Sequence, residues 1–185
     1  KIASPILERV LAKVNGTPRE DVLIGLETPD DAAVVTVPPG MVLVQTVDSF
    51  RAMVDDPFLF GKITAHHCLN DIYAMGGEPQ TALAIVTIPF GLEVKVEDTL
   101  TQLLTGAGEV LRETHAQLIG GHTGEGAELT LGFSINGLAN EKDLLRKGDL
   151  RLGQHLILTK AVGTGTLFAA EMRGRAKGRW VTDAI

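Results

Sequence analysis

Three observations on the sequence predict an α+β fold. Two short β-branched runs, 32–37 and 41–47, flank a Pro38-Pro39-Gly40 break. Two longer segments repeat their apolar residues at helical period, and 128–139 alternates apolar and polar residues. Hairpin-like neighbours among strands and helices of mixed order favour α+β over a doubly wound α/β sheet. The 185 residues suffice for one domain or for one domain and part of a second. Hydrophobic residues make up 44% of the chain and aromatic ones only 4%, so its core must be built mainly from Val, Leu, Ile and Ala.

Residues 2–14 place Ile2, Ile6, Leu7, Val10, Leu11 and Val14 on one helical face, with Ser4-Pro5 as cap and first turn. Ala32–Val37 and Met41–Val47 read as a hairpin-like pair of strands. Asp56-Pro57 opens a helix that runs to Ala74, where Gly76-Gly77 and Pro79 stop it. Thr81–Ile88 reads as a buried strand, and Val96, Leu100, Leu103, Leu104, Ala107 and Leu111 mark a second amphipathic helix. Leu118-Ile119 leads into a Gly120-Gly121-His122-Thr123 turn. In 128–139, Leu129, Leu131, Phe133 and Ile135 share one strand face. The polar segment Asn140–Leu152 is a domain boundary, giving expected domains 1–148 and 149–185. Beyond it, His155–Lys160 reads as a strand, Gly163-Thr164-Gly165 as a tight turn and Thr166–Arg173 as the start of a helix.

Composition excludes several classes. The formal net charge of −6 disfavours a sequence-independent nucleic-acid binder, which needs a basic surface. A single cysteine, Cys68, excludes an intrachain disulfide framework and a Cys-based zinc site. No stretch approaches the roughly 18–20 apolar residues of a membrane-spanning helix, and no signal-peptide pattern is present. The expected location is cytoplasmic. The opening at Lys1 and the close at Ile185 are expected to be cuts within a longer protein.

Four acids carry the chemical interest. Asp30 and Asp31 precede Ala-Ala-Val-Val, Asp48 follows Val-Leu-Val-Gln-Thr-Val, and Asp71 lies within the helix that opens at Asp56-Pro57. Carboxylates at the ends of core elements are poor packing material and good ligands for a hard cation such as Mg²⁺. Asp30-Asp31 taken alone reads better as a solvated turn or cap. Asp48 is expected where its strand ends. Asp71, four residues after His67, is expected on the helix face nearer the core, where an unpaired acid is costly. No Walker-type Gly-x-x-x-x-Gly-Lys-Ser/Thr loop is present to hold phosphates. The Gly120-Gly121 amides offer a nest for a phosphate oxygen, or are simply a tight turn. Gly163-Thr164-Gly165 is a weaker anion-binding turn.

Other residues read blandly. Adjacent His66 and His67 diverge by about 100° on a helix, so they do not form a metal pair. Cys68 reads as a small core residue, and His115 and His155 as structural. The run from Arg173 to Arg179 reads as a solvated loop or helix end rather than a binding patch. Lys1 is either a leftover terminal residue or a cation for phosphoryl transfer.

Taken together, these segments resemble the selenophosphate synthetase (selenide, water dikinase) family. The resemblance runs through Lys1-Ile-Ala-Ser-Pro-Ile-Leu7, Thr28-Pro-Asp-Asp-Ala-Ala-Val34, Gln45-Thr-Val-Asp48, Val54-Asp-Asp-Pro57, Asn70-Asp-Ile-Tyr-Ala-Met-Gly-Gly77, Gly120-Gly-His-Thr123 and Leu158-Thr-Lys-Ala-Val-Gly-Thr-Gly165. Two of these motifs are shared with aminoimidazole ribonucleotide synthetase, thiamine-monophosphate kinase and a hydrogenase-maturation dehydratase. His122 and the Lys1–Leu7 opening favour the selenium enzyme.

The resemblance implies ATP, selenide and water giving selenophosphate, AMP and orthophosphate. It implies Asp31 and Asp71 as Mg²⁺ ligands and Lys1 as a catalytic residue. Lys1, Thr28, Pro29, Asp30, Asp48, Asp71, Gly121, His122 and Thr123 are the implied ATP contacts. The implied architecture is an ATP-binding domain whose sheet pairs into a barrel across a homodimer, followed by the start of a second α/β domain. The family's nucleophilic Cys or Sec and a further metal-binding Asp fall outside 1–185, and Ser49-Phe-Arg-Ala-Met53 departs from its more apolar pattern. The alternatives are another ATP-dependent kinase or synthetase of the superfamily, or a non-catalytic nucleotide-binding dimerisation module.

Overall fold

The computed structural model describes residues 4–14, 18–24, 26, 34–146 and 150–184. The chain divides into two compact units, Lys1–Leu145 and Arg146–Ile185.

In the first unit, helix α1 (Ser4–Leu11) precedes a two-stranded antiparallel sheet of β1 (Val22–Ile24) and β2 (Val34–Val35). The main sheet has the order β3-β6-β4-β5, from β3 (Met41–Arg51), β4 (Glu78–Pro89), β5 (Gln117–Gly126) and β6 (Thr130–Asn140). β6 runs antiparallel to both β3 and β4, whereas β4 and β5 are parallel. Such a parallel pair requires a crossover, and helix α3 (Glu93–Glu113) supplies it. Helix α2 (Pro57–Ala74) connects β3 to β4. The result is the expected α+β domain, with a mixed four-stranded sheet.

The core lies between the sheet and the α2–α3 pair. Strand alternation directs Ala82, Ala84, Val86 and Ile88 of β4, and Leu131, Phe133 and Ile135 of β6, toward the helices, and all are buried. Phe60, Leu69 and Ile72 of α2 and Leu100, Leu103, Val110 and Leu111 of α3 meet them there. Each large side chain so buried contributes about 1.5–3 kcal/mol. Two glycines bring the helices together. A Cβ on Gly61 would stand 2.1 Å from the Leu103 carbonyl oxygen, and one on Gly106 would stand 2.0 Å from that of Phe58. The phase of α2 is set by Asp56, whose Oδ1 accepts the Leu59 N–H at 2.9 Å. On the far side, Arg9 and Lys13 reach Glu97 of α3 and tie the first helix down.

Several expectations change. Among the described residues, the runs at 34–37 and 41–47 do not pair as the expected hairpin. β2 pairs with β1, and β3 pairs along its 11 residues with β6, from Met41↔Asn140 to Arg51↔Thr130. Pro38 and Pro39 offer no N–H to a ladder and Gly40 turns the chain at φ +83°, so the segment between the runs redirects the backbone instead of folding it back. Gly120-Gly121-His122-Thr123 is not a turn, because it lies inside β5. The expected strand His155–Lys160 does not form in the second unit. A continuous apolar run such as Leu156-Ile157-Leu158 needs neighbouring strands to bury it, and among the described residues no strand pairs with it. These three side chains remain exposed. Also in the second unit, helix α4 (Thr164–Glu171) starts earlier than expected, directly after Gly163 at φ +112°, and α5 (Gly178–Ala184) follows.

Candidate functional site

The seam between α2 and edge strand β3 gathers the described acids of interest. Period-2 alternation sends Thr46, Asp48 and Phe50 toward the helix layer. Helical spacing sets His67 and Asp71 one turn apart on α2. The Thr46 hydroxyl donates to Asp71 Oδ2 at 2.6 Å. His67 Nε2 lies 3.3 Å from Asp48 Oδ2, at ion-pair distance, and the Ser49 N–H donates to Asp48 Oδ1 at 3.1 Å. The Phe50 ring meets the His67 imidazole edge to face, with centroids 4.6 Å apart. Beneath them the Cys68 thiol donates to the Asp48 carbonyl at 3.7 Å. Burial pushes that thiol up to about 11, and the negative charges of Asp48 and Asp71 add to the shift. The thiol therefore stays protonated at neutral pH, so Cys68 is a packing and donor group, not a nucleophile.

Two placements differ from expectation. Asp48 lies within β3, which continues to Arg51, and it faces α2 from an edge strand instead of terminating the strand. Asp71 is exposed and aimed at the strand edge rather than the core, so it escapes the desolvation cost and remains available to a ligand.

Gly121, His122 and Thr123 lie elsewhere. They pair with Ala84, Ile85 and Val86 of β4 on the opposite edge of the sheet. Three strand spacings separate this edge from β3, roughly 14 Å. Gly121 shares its sheet row with Ala84, Phe133 and Asp48, whereas His122 falls in the next row and points to the face away from the helices. Gly121 is glycine for want of room, since a Cβ there would stand 2.2 Å from the Ala84 carbonyl oxygen. His122 is exposed. Lys1, Thr28, Pro29, Asp30 and Asp31 lie outside the described residues.

Among the described residues no group of three His, Cys, Asp or Glu side chains is placed to hold a metal ion. Mg²⁺ does not require one. It keeps several waters and is held by one or two carboxylates together with substrate phosphates. The exposed Asp71 carboxylate, oriented by a hydroxyl donor, fits that demand.

Thr46 and His67 were not singled out as site residues from the sequence. The signal was present in two matched spacings, Thr46 with Asp48 two apart on a strand and His67 with Asp71 four apart on a helix. Only the pairing of those elements makes it readable.

Fold and seam together define an α+β domain that presents carboxylates along one helix–strand junction. Residues 29–139 match the family described as AIR synthase related protein, N-terminal domain, and the chain belongs to that family. It is similar to the selenide, water dikinase of Nitratidesulfovibrio vulgaris Hildenborough, with 42% identity over 190 residues covering 97% of this chain and 54% of the relative. The selenide, water dikinase of Pelobacter propionicus is 41% identical over 186 residues, 100% of this chain and 52% of the relative. The chain thus spans about half the length of the curated relatives it matches. Among solved structures, thiamine-monophosphate kinase from Stenotrophomonas maltophilia K279a shares the fold with a TM-score of 0.74 at 24% identity, over 93% of this chain and 54% of the other. Hydrogenase maturation protein HypE in complex with ATP matches with a TM-score of 0.53 at 20% identity, over 62% of this chain and 35% of the other.

Proposed function

We propose that this chain is the ATP- and Mg²⁺-binding part of a selenide, water dikinase, which makes selenophosphate from ATP, selenide and water and releases AMP and orthophosphate. The observation that carries the reading is the similarity, 42% over 97% of the chain, to a protein of that name. The Asp48–Asp71 seam gives the reading a physical site.

In this reading Asp71, oriented by Thr46, and Asp31 would hold Mg²⁺. When bound, the ion neutralises the phosphates and the charge that develops as they transfer. Asp48 takes a polar group of the nucleotide, and Thr28, Pro29 and Asp30 are further nucleotide contacts in this reading. Lys1 supplies a cation to the phosphoryl group in transit. Gly121, His122 and Thr123 meet the phosphates along an edge strand, whose free N–H groups suit anionic oxygens. Because His122 and Asp48 stand on opposite edges and opposite faces of one sheet, one nucleotide reaching both favours assembly from two copies. That supports a homodimer whose sheets close into a barrel. The face turned away from the helices carries exposed Leu43, Val47 and Ile85, apolar surface suited to such pairing.

Residues 1–148 form the ATP-binding and dimerising domain, and 149–185 begin a second α/β domain. The setting is cytoplasmic. No helix among the described residues is long and apolar enough to cross a membrane.

The test is anaerobic incubation of the full-length gene product with Mg²⁺, ATP and selenide, followed by phosphorus NMR. A selenophosphate resonance with AMP and orthophosphate is the expected result. ADP as the nucleotide product points instead to a small-molecule kinase, and unchanged ATP to a binding module.

A further inference from the structure

We propose that His67 is the positioning residue for Asp48, holding its carboxylate in the orientation from which it meets the nucleotide. The consequence for binding rests on the nucleotide reading above, whereas the pairing rests on its own geometry. His67 Nε2 stands 3.3 Å from Asp48 Oδ2, while Oδ1 is engaged by the Ser49 N–H. Each carboxylate oxygen therefore has its own neighbour, an imidazole nitrogen at ion-pair distance on one and a backbone N–H donor on the other. The imidazole is itself restrained, because the Phe50 ring meets it at 75° with centroids 4.6 Å apart. Phe50 and Asp48 project from the same face of β3, so the strand presents the carboxylate together with the ring that braces its partner.

The main chain at this point is held as well, by the Cys68 thiol on the Asp48 carbonyl. Adjacent residues of α2 thus fix both the backbone and the side chain of one strand residue. The arrangement is reciprocal along the seam. A helix acid, Asp71, takes a strand hydroxyl from Thr46, and a strand acid, Asp48, takes a helix imidazole from His67. Both His67 and Asp48 keep much of their side-chain surface in solvent, 57% and 41%. A ligand therefore reaches the carboxylate without displacing the core. Held this way, Asp48 loses less rotamer freedom when a ligand binds, which is the general advantage of preorganisation.

The test is calorimetric titration of the chain with Mg-ATP in wild type, His67→Leu and His67→Gln. His67→Leu is expected to weaken binding about three- to tenfold, the scale of one partly exposed charged contact and one freed side chain. His67→Gln returns an N–H donor at similar reach and is expected to restore affinity to within about twofold. In the full-length enzyme the loss is expected in KM for ATP, with kcat unchanged. Equal affinity for all three proteins, or equal loss in both variants, overturns the proposal. The pairing is read separately from the His67 imidazole nitrogen resonances, which are expected to move in Asp48→Asn; coincident spectra overturn it. A wild-type chain that takes up no Mg-ATP defeats the nucleotide reading, and the imidazole spectra then decide the pairing by themselves.

Discussion

At one edge of the main sheet, β3 lies beside α2, and Thr46, Asp48 and Phe50 each meet a side chain of that helix. At the other edge, β5 carries Gly120, Gly121, Gly124 and Gly126 and presents mostly main chain. The first edge offers carboxylates set in place by a hydroxyl and an imidazole, on a main chain held by a thiol donor. The second offers small residues and a backbone close enough to β4 that a Cβ at Gly121 would strike Ala84. The difference is one of chemistry. Carboxylates recruit a cation and read polar groups, while an open glycine-rich backbone suits anionic oxygen. A magnesium–nucleotide complex asks for both.

The largest effect that would break this proposed division of labour is expected at Asp71. Asp71→Asn should weaken Mg-ATP binding by about a hundredfold, at the upper end of what even the partners of metal ligands cost. Asp143→Asn, outside the seam, should leave binding unchanged. Equal effects in a binding titration would remove Asp71 from the site. Next is the β5 edge, where Gly121→Ala should destabilise the chain by about 1–3 kcal/mol, the usual cost of forcing atoms into a filled space. Urea denaturation reads this directly, and an unchanged midpoint would mean that the two strands separate without cost.

A smaller effect is expected at His122. His122→Ala should lower nucleotide affinity several-fold, about the value of one charged or polar contact, with the thermal midpoint unmoved because the residue is exposed. Unfolding of the variant would make His122 structural. The smallest effect concerns pH. Burial raises the Cys68 thiol from its ordinary 9.0 to about 11 in the folded chain. Its contribution to stability is therefore complete below about pH 9 and declines as pH rises through about 11. Denaturation across that window should show a steeper loss in wild type than in Cys68→Ala, and parallel curves would contradict the assignment.

Much of this architecture was legible in the sequence because local signals and tertiary demands agreed. Asp56-Pro57 caps α2 where the pattern placed it, and every apolar residue read at helical spacing in α3 is buried, together with Gly106 and Val110. The alternation in β6 likewise holds, with Leu131, Phe133 and Ile135 all turned inward. Legibility failed where neighbours decide. Gly120-Gly121 has the composition of a turn, yet the close approach of β4 requires the same residues in a strand. The β-branched runs around Pro38-Pro39 looked like mutual partners, but pairing is chosen by length and register, and β6 matches β3 along its whole length. At the site, Asp48 and Asp71 were legible as unusual acids. His67 was not, because its role depends on which strand lies beside its helix.

The most direct test of the account is amide chemical-shift mapping of the labelled chain with Mg-ATP. The account predicts that resonances of 46–50 and 67–71 on one edge and 120–124 on the other move together, along one saturation curve, and only with Mg²⁺ present. Movement confined to one edge, or none at either, would contradict the claim that two unlike sheet edges, one from each of two copies, serve one nucleotide.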